Sequence, residues 1–152
     1  MPNYFILLTF ACMISCTTEV KKTKKIVDSL QENKTSNLEN KIEGFVEGKL
    51  LYDSKCSSCH QKNGAPEVNI YPPLKGSDFL VNNQDKIACI IRNGLEEPLI
   101  VNGKKYGIQM PGFSALTAQE ISQIIVYINN AWGNNYGIST VDKVKKELEG
   151  CQ

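Results

Sequence analysis

The sequence predicts an all-α domain in which a few helices are wrapped by long loops. Three observations predict it. "LTAQEISQIIVYINNAWGN" sets Ile121, Ile124, Ile125, Ile128 and Trp132 at i, i+3, i+4, i+7 and i+11, one apolar stripe at helical period. No stretch reads as part of a parallel sheet. Two long Gly/Pro/Asn-rich segments, "NGAPEVNIYPPLKGSD" and "EEPLIVNGKKYGIQMPGF", separate the helical stretches. Loops of that length in a small domain have little core of their own and usually enclose something.

The chain opens with "YFILLTFACMI", Tyr4 to Ile14, an apolar run of the length of a signal-peptide core. It falls short of the roughly 20 residues a helix needs to cross a bilayer. Ser15 and Cys16 follow, and the chain then turns polar with "TTEVKKTKK". A hydrophobic run ending in a small residue and Cys resembles the lipobox of bacterial lipoproteins, although Met13 stands where Leu is usual. By that resemblance residues 1–15 are a signal peptide and Cys16 carries a lipid. An ordinary secretory signal with a chance cysteine is the alternative, and Cys12 is the poorer lipidation site. From Thr17 to Glu43 the chain is rich in Lys, Asn, Ser, Thr and Glu and has no Pro or Gly. Only Ile26, Val27 and Leu30 could share an apolar face, too little for a core. Residues 16–43 therefore read as an anchored, flexible tether with a span of about 25–30 Å. Lys21, Lys22, Lys24 and Lys25 either rest on anionic headgroups or form a solvated charge run.

The dense region begins at Gly44. "EGFVEGKLLYDSKC" has Phe45, Leu51 and Tyr52 at helix-compatible spacings. "NNQDKIACIIRNG" predicts a second helix with Asn82 or Asn83 as its cap, Ile87, Ile90 and Ile91 on one face, and a stop at Asn93-Gly94. Thr117 and Glu120 form a T-x-x-E capping box for the third. The tail from Ser139 to Gly150 predicts a short amphipathic helix with Val141, Val144 and Leu148 on one side.

Cys56 to His60 reads C-S-S-C-H, and His60 is the only histidine among 152 residues. A thioredoxin-like C-x-x-C belongs between a strand and a helix of a βαβ unit, which is missing here. A structural zinc site needs four ligands, and Cys89 and Cys151 have no matching spacing. The remaining chemistry is c-type haem attachment. Cys56 and Cys59 would each join one vinyl group, and His60 would fall beneath the iron. A second protein ligand cannot then be histidine. Of three methionines, Met1 and Met13 lie in the expected signal, which leaves Met110 in "QMPGF". Pro111 stiffens that loop, and Gly112 would let backbone approach a flat ligand. Lysine, or an empty sixth position, is the alternative.

Together these motifs resemble class I cytochrome c in its small, single-haem bacterial form. The resemblance covers Gly44 to Asn134 and implies a fold of 3–5 helices with long loops around one covalently bound haem c. "PPLKG" is similar to that family's P-x-L-x-G segment. That match implies that the Pro72 carbonyl accepts the His60 Nδ1 proton and that Leu74 packs against the haem. "YGIQMPGF" matches its methionine loop and "IIVYINNAWGN" its C-terminal helix, which crosses the first helix through Gly48, Tyr52 and Tyr127. Tyr106 and Arg92 are candidates for the haem propionates, with surface or core roles as the alternative. Residues 135–152 form an extension with a short helix. Cys89 and Cys151 are extra to the family pattern, and either bridge or remain two free thiols.

The resemblance implies a membrane-tethered one-electron carrier, not an enzyme, serving a respiratory or periplasmic dehydrogenase or oxidase chain. It would be exported to a bacterial periplasm or cell envelope. Its partners would be a redox donor and acceptor, with the membrane reached through Cys16. The alternatives are a five-coordinate haem sensor or haem enzyme, and an electron-entry subunit of a larger complex. The formal net charge is +1, and residues 44–152 balance 11 basic against 11 acidic side chains. That balance excludes a broad basic face for nucleic acid.

Overall fold

The computed structural model describes residues 39, 42–66 and 70–151. The expected signal peptide, Cys16, the lysine cluster and almost all of the tether lie outside the described residues. Helix α1 covers residues 42–55. It is followed by α2 (Ser57–His60), α3 (Asp78–Asn82), α4 (Ile87–Asn93), α5 (Ala118–Asn130) and α6 (Val141–Glu149). Four short strands, β1 (Gly94–Leu95), β2 (Leu99–Val101), β3 (Lys104–Tyr106) and β4 (Met110–Pro111), lie between α4 and α5. Helices dominate, as the sequence predicts, and the described residues hold six, because two short helices add to the expected set: α2 within the C-S-S-C-H turn and α3 ahead of the second expected helix.

The core forms where α1 crosses α5. Gly44, Gly48 and Tyr52 fall at i, i+4 and i+8 on α1 and are all buried. At Gly48 the absent side chain is what allows contact. A Cβ there would meet the Gln123 carbonyl group and come within 2.9 Å of Tyr127 Cβ. Phe45 and Tyr52 close on Tyr127 from α1 at ring-centroid distances of 5.1 and 5.2 Å. From α5, Ile121, Ile124, Ile125 and Ile128 are buried, but Trp132 is not part of that helical stripe. The helix stops at Asn130. Ala131 is extended, and Trp132 and Gly133 take φ of 56° and 90°, which no helix continues.

The second expected helix starts later than predicted, at Ile87, and neither Asn82 nor Asn83 caps it; a separate short helix, α3, comes before it. Ser77 caps α3, its side chain accepting from Leu80 N. The amides of Asn83 and Gln84 then donate to the carbonyls of Phe79 and Leu80, at 2.9 and 2.7 Å. These bonds satisfy the C-terminal carbonyls of α3, so Asn83 ends a helix instead of starting one. Gln84 also forms a reciprocal amide pair with buried Asn129 on α5, at 2.6 and 3.1 Å. Helix α4 ends at Gly94, whose φ of 85° is the stop expected from Asn93-Gly94.

The loop "EEPLIVNGKKYGIQMPGF" is more ordered than its composition suggests. β2 and β3 form a hairpin with Leu99 opposite Tyr106. Asn102 and Gly103 turn it with φ of 51° and 74°, a two-residue Asn-Gly signal that the sequence displays. The tail folds onto the domain through α6, whose Val144 is 0% exposed. Ser122 donates to the Ser139 carbonyl at 2.9 Å, and a disulfide joins Cys89 on α4 to Cys151.

Candidate functional site

Helix α1 delivers the C-S-S-C-H directly. Cys56 N still donates to Tyr52 O at 2.9 Å, and Cys59 and His60 N both donate to Cys56 O, at 3.2 and 3.0 Å. This tight turn brings the two sulfurs and the imidazole to one wall of a cleft. Gln61, at φ 62°, ends the turn, and the fully buried Tyr52 donates its hydroxyl proton to the Gln61 carbonyl at 2.6 Å.

His60 is 9% exposed. Its Nδ1 lies 3.0 Å from the Pro72 carbonyl oxygen, which can only accept. Nδ1 therefore carries the proton, and Nε2 keeps its lone pair. Burial pushes the imidazole pKa down, and the bond to Pro72 offsets only part of that. The ring is thus neutral near pH 7, the form that binds metals. Burial first, and the neighbouring Cys59 second, push the Cys56 thiol up to about 11. A thiol-exchange pair needs the opposite, a depressed pKa, so the site is unsuited to dithiol redox chemistry.

Met110 lines the same cleft. β4 pairs antiparallel with β1, setting Met110 opposite Leu95 and Pro111 opposite Gly94. Phe113 N donates to Ile91 O at 2.9 Å. The glycine after Pro111 serves this stitching: a Cβ on Gly112 would lie 2.5 Å from the Asn93 carbonyl carbon. Gly112 therefore admits the backbone of α4, a role different from the close approach to a flat ligand expected from sequence.

The cleft opens to solvent on one side, and about 930 Å³ of unfilled space lies within it and at its mouth. Its lining holds Cys56, Cys59, His60 and Met110, with Pro72 and Leu74 beside them. Most of the remaining wall is aliphatic or aromatic, including Ile87, Ile90 and Ile91 of α4 and Ile124 and Ile128 of α5. An apolar cleft of this size, with one neutral imidazole and one thioether in it, fits a large flat apolar metal complex far better than water. Among the described residues no three His, Cys, Asp or Glu side chains cluster to hold a metal ion, and the cleft itself offers one imidazole and one thioether as metal donors beside its two cysteines. A porphyrin supplies four further donors. Tyr106 and Arg92 do not line the cleft. Tyr106 is buried beneath the hairpin under Lys104, whose Nζ lies 5.8 Å from its ring centroid. Arg92 has a buried Nε with no hydrogen-bond partner among the described residues. Tyr71, which the sequence reading passed over, lines the cleft beside Cys59. Its place immediately before "PPLKG" was no signal by itself.

Helices crossing at Gly48, a C-x-x-C-H turn and a methionine strand facing one apolar cleft define a c-type haem protein. The family model for cytochrome c matches residues 45–132, and the chain belongs to that family. It is a class I c-type cytochrome, an electron-transfer protein with covalently bound haem c. The chain is similar to cytochrome c-552 of Thermus thermophilus, 29% identical over 110 residues covering 66% of this chain and 83% of the relative. It is also similar to the cytochrome c subunit of the quinone alcohol dehydrogenase of Gluconacetobacter polyoxogenes, 32% identical over 92 residues covering 59% of this chain and 19% of that subunit. The fructose dehydrogenase cytochrome subunit of Gluconobacter japonicus is 30% identical over 114 residues, covering 69% of this chain and 22% of the subunit. The chain thus aligns with only about a fifth of these dehydrogenase subunits.

Proposed function

We propose that this chain is a single-haem one-electron carrier in which Cys56 and Cys59 form the thioether links and His60 and Met110 are the axial ligands. The observation that carries this reading is the convergence of those four side chains on one apolar cleft, with His60 Nδ1 held by the Pro72 carbonyl. A bound haem c supplies a metal that changes charge by one electron with little rearrangement, and a thioether ligand with apolar burial favours its reduced state. His60 presents a neutral nitrogen in fixed orientation. Met110 would supply the second protein donor, which would leave no position for a substrate, and the chain would relay electrons without catalysing a reaction of its own. Pro72 orients His60, Leu74 packs on the ring, and the unpartnered Arg92 Nε is the propionate contact better supported than Tyr106.

The cytochrome domain is assigned to residues 44–134, in keeping with the family match at 45–132. Residues 1–15 are the signal, 16–43 the lipid anchor and tether from Cys16, and 135–152 the extension. No helix among the described residues is long and apolar enough to cross a membrane. The lipid on Cys16, suggested by the lipobox-like sequence, would provide the attachment to an envelope membrane. The likeness to dehydrogenase cytochrome subunits supports a membrane dehydrogenase as electron donor. The same likeness supports a second reading, an electron-entry subunit within such a complex.

The optical spectrum of the mature holoprotein tests the ligand set. A low-spin oxidised form with the weak far-red band of a methionine–ferric bond is expected, and Met110→His should keep the haem while lowering its potential. A high-spin spectrum that shifts with carbon monoxide or cyanide would overturn it in favour of a sensor or haem enzyme. In Cys56→Ala with Cys59→Ala, covalent haem should be lost.

A further inference from the structure

Beyond α5 the chain takes a costly path. Trp132 is a bulky residue at φ 56°, followed by Gly133 at φ 90°, and left-handed backbone costs a non-glycine residue roughly 1–2 kcal/mol. Specific contacts hold it there. The Trp132 ring packs against Tyr52 and Tyr127, with centroids 5.2 and 5.3 Å away. Its Nε1–H donates to the Lys62 carbonyl at 2.9 Å. Its six-membered ring covers Gly64, where a Cβ would come within 2.6 Å of Cζ3. Two residues later, Asn134 is 7% exposed and uses its whole amide. Nδ2 donates to Leu74 O at 3.0 Å and to Ile128 O at 2.8 Å, and Oδ1 accepts from Gly76 N at 2.9 Å.

These two side chains grip opposite ends of one short rod. The Gly64 carbonyl under Trp132 accepts from Leu74 N at 2.8 Å and Lys75 N at 3.0 Å. Asn134 takes the far side of the same segment through Leu74 O and Gly76 N. Between Leu74 and the Pro72 carbonyl stands only Pro73. Proline fixes its own φ and confines the residue before it to extended backbone. The direction of the Pro72 carbonyl is therefore coupled to the position of Leu74, and that carbonyl is the acceptor for His60 Nδ1.

We propose that Trp132 and Asn134 are positioning residues for the axial imidazole. They clasp the Gly64 and Leu74–Gly76 backbone so that the Pro72 carbonyl stays aligned on the His60 Nδ1 proton. The proposal rests on His60 being the axial ligand. A tighter Nδ1–H···O=C bond makes the imidazole a stronger donor, so the clasp contributes to the reduction potential from side chains that do not line the cleft.

The test uses the reduced, diamagnetic holoprotein and follows solvent exchange of the His60 Nδ1 proton by NMR, with the reduction potential measured alongside. Trp132→Phe keeps an aromatic ring but removes the indole N–H and part of the ring's bulk; Asn134→Ala removes all three amide bonds. Each should speed Nδ1–H exchange by about tenfold, the factor for losing one ordinary buried hydrogen bond, and should raise the potential. Ser122→Ala, which removes one bond between α5 and the tail and touches neither loop, should lower the melting temperature and leave exchange and potential unchanged. If Trp132→Phe and any folded Asn134 variant lose stability as Ser122→Ala does, with exchange and potential fixed, the clasp is structural only and the proposal is overturned. A wild-type protein with no protected ring proton at the iron would remove the axial reading itself, and the clasp with it.

Discussion

At the scale of single residues, Gly48 sets how closely two helices can approach. A methyl group there would drive into the Gln123 carbonyl and the Tyr127 Cβ, and neither is the end of a flexible side chain. Gly48→Ala should therefore destabilise the fold by roughly 2–3 kcal/mol, at the upper end for overpacking. Thermal unfolding would read this as a melting temperature lower by about 4–8 °C per kcal/mol. Residues whose chemistry is written in local spacing were legible from the sequence. Cys56, Cys59 and His60 announce themselves as a pentapeptide, and Met110 follows from counting. Trp132 and Asn134 were not legible as a clasp. Their partners lie 58 to 70 residues away, and "WGN" gives no hint that an indole N–H will find Lys62.

Among the elements, α5 shows how far local rules carry. The capping box is present with both halves made: Thr117 accepts from Glu120 N at 3.2 Å, and the Glu120 carboxylate accepts from Thr117 N at 2.7 Å. Thr117→Ala should cost about 1 kcal/mol of stability, measured by denaturant midpoint. The two hydrogen bonds from Thr117, backbone first, hold the Glu120 carboxyl below its ordinary 4.5. A depressed carboxylate pKa means that its stabilisation is complete above pH 4.5 and fades as pH falls through the lower folded value. The stability gap between wild type and Glu120→Ala should accordingly be widest at neutral pH and narrow in acid; a gap constant with pH would count against the cap. The same period rules overran at both ends of this region. Hydrophobic period carried the α5 reading past Asn130, because backbone dihedrals rather than apolarity end that helix. It also started the second helix too early, because the amides of Asn83 and Gln84, spent on the carbonyls of Phe79 and Leu80, end α3 there and α4 begins only at Ile87. The β2–β3 hairpin carried its own Asn-Gly signal within a segment whose glycines and proline made loop the stronger reading.

For the molecule as a whole, the tail is an addition bound by three separate devices. The family match ends at 132, and α6 lies beyond it, held by buried Val144, the Ser122–Ser139 bond and the Cys89–Cys151 disulfide. Sequence reasoning left that cysteine pair open, since nothing local shows that residues 62 positions apart meet. A crosslink closing a loop of that length stabilises by about 4 kcal/mol through the unfolded chain. Replacing both cysteines by serine should lower the melting temperature markedly and leave the optical spectrum unaltered, because neither sulfur lines the cleft. The crossing of α1 with α5 has a consequence for how such a chain is made. Synthesis delivers the C-S-S-C-H segment first, while Tyr127 and Trp132, which cover the helix behind it, follow more than sixty residues later. Until they arrive, Tyr52 has no ring to lean on and the cleft has no back wall. The pentapeptide thus spends its first moments as open chain, accessible for haem attachment, and the fold closes over it afterwards.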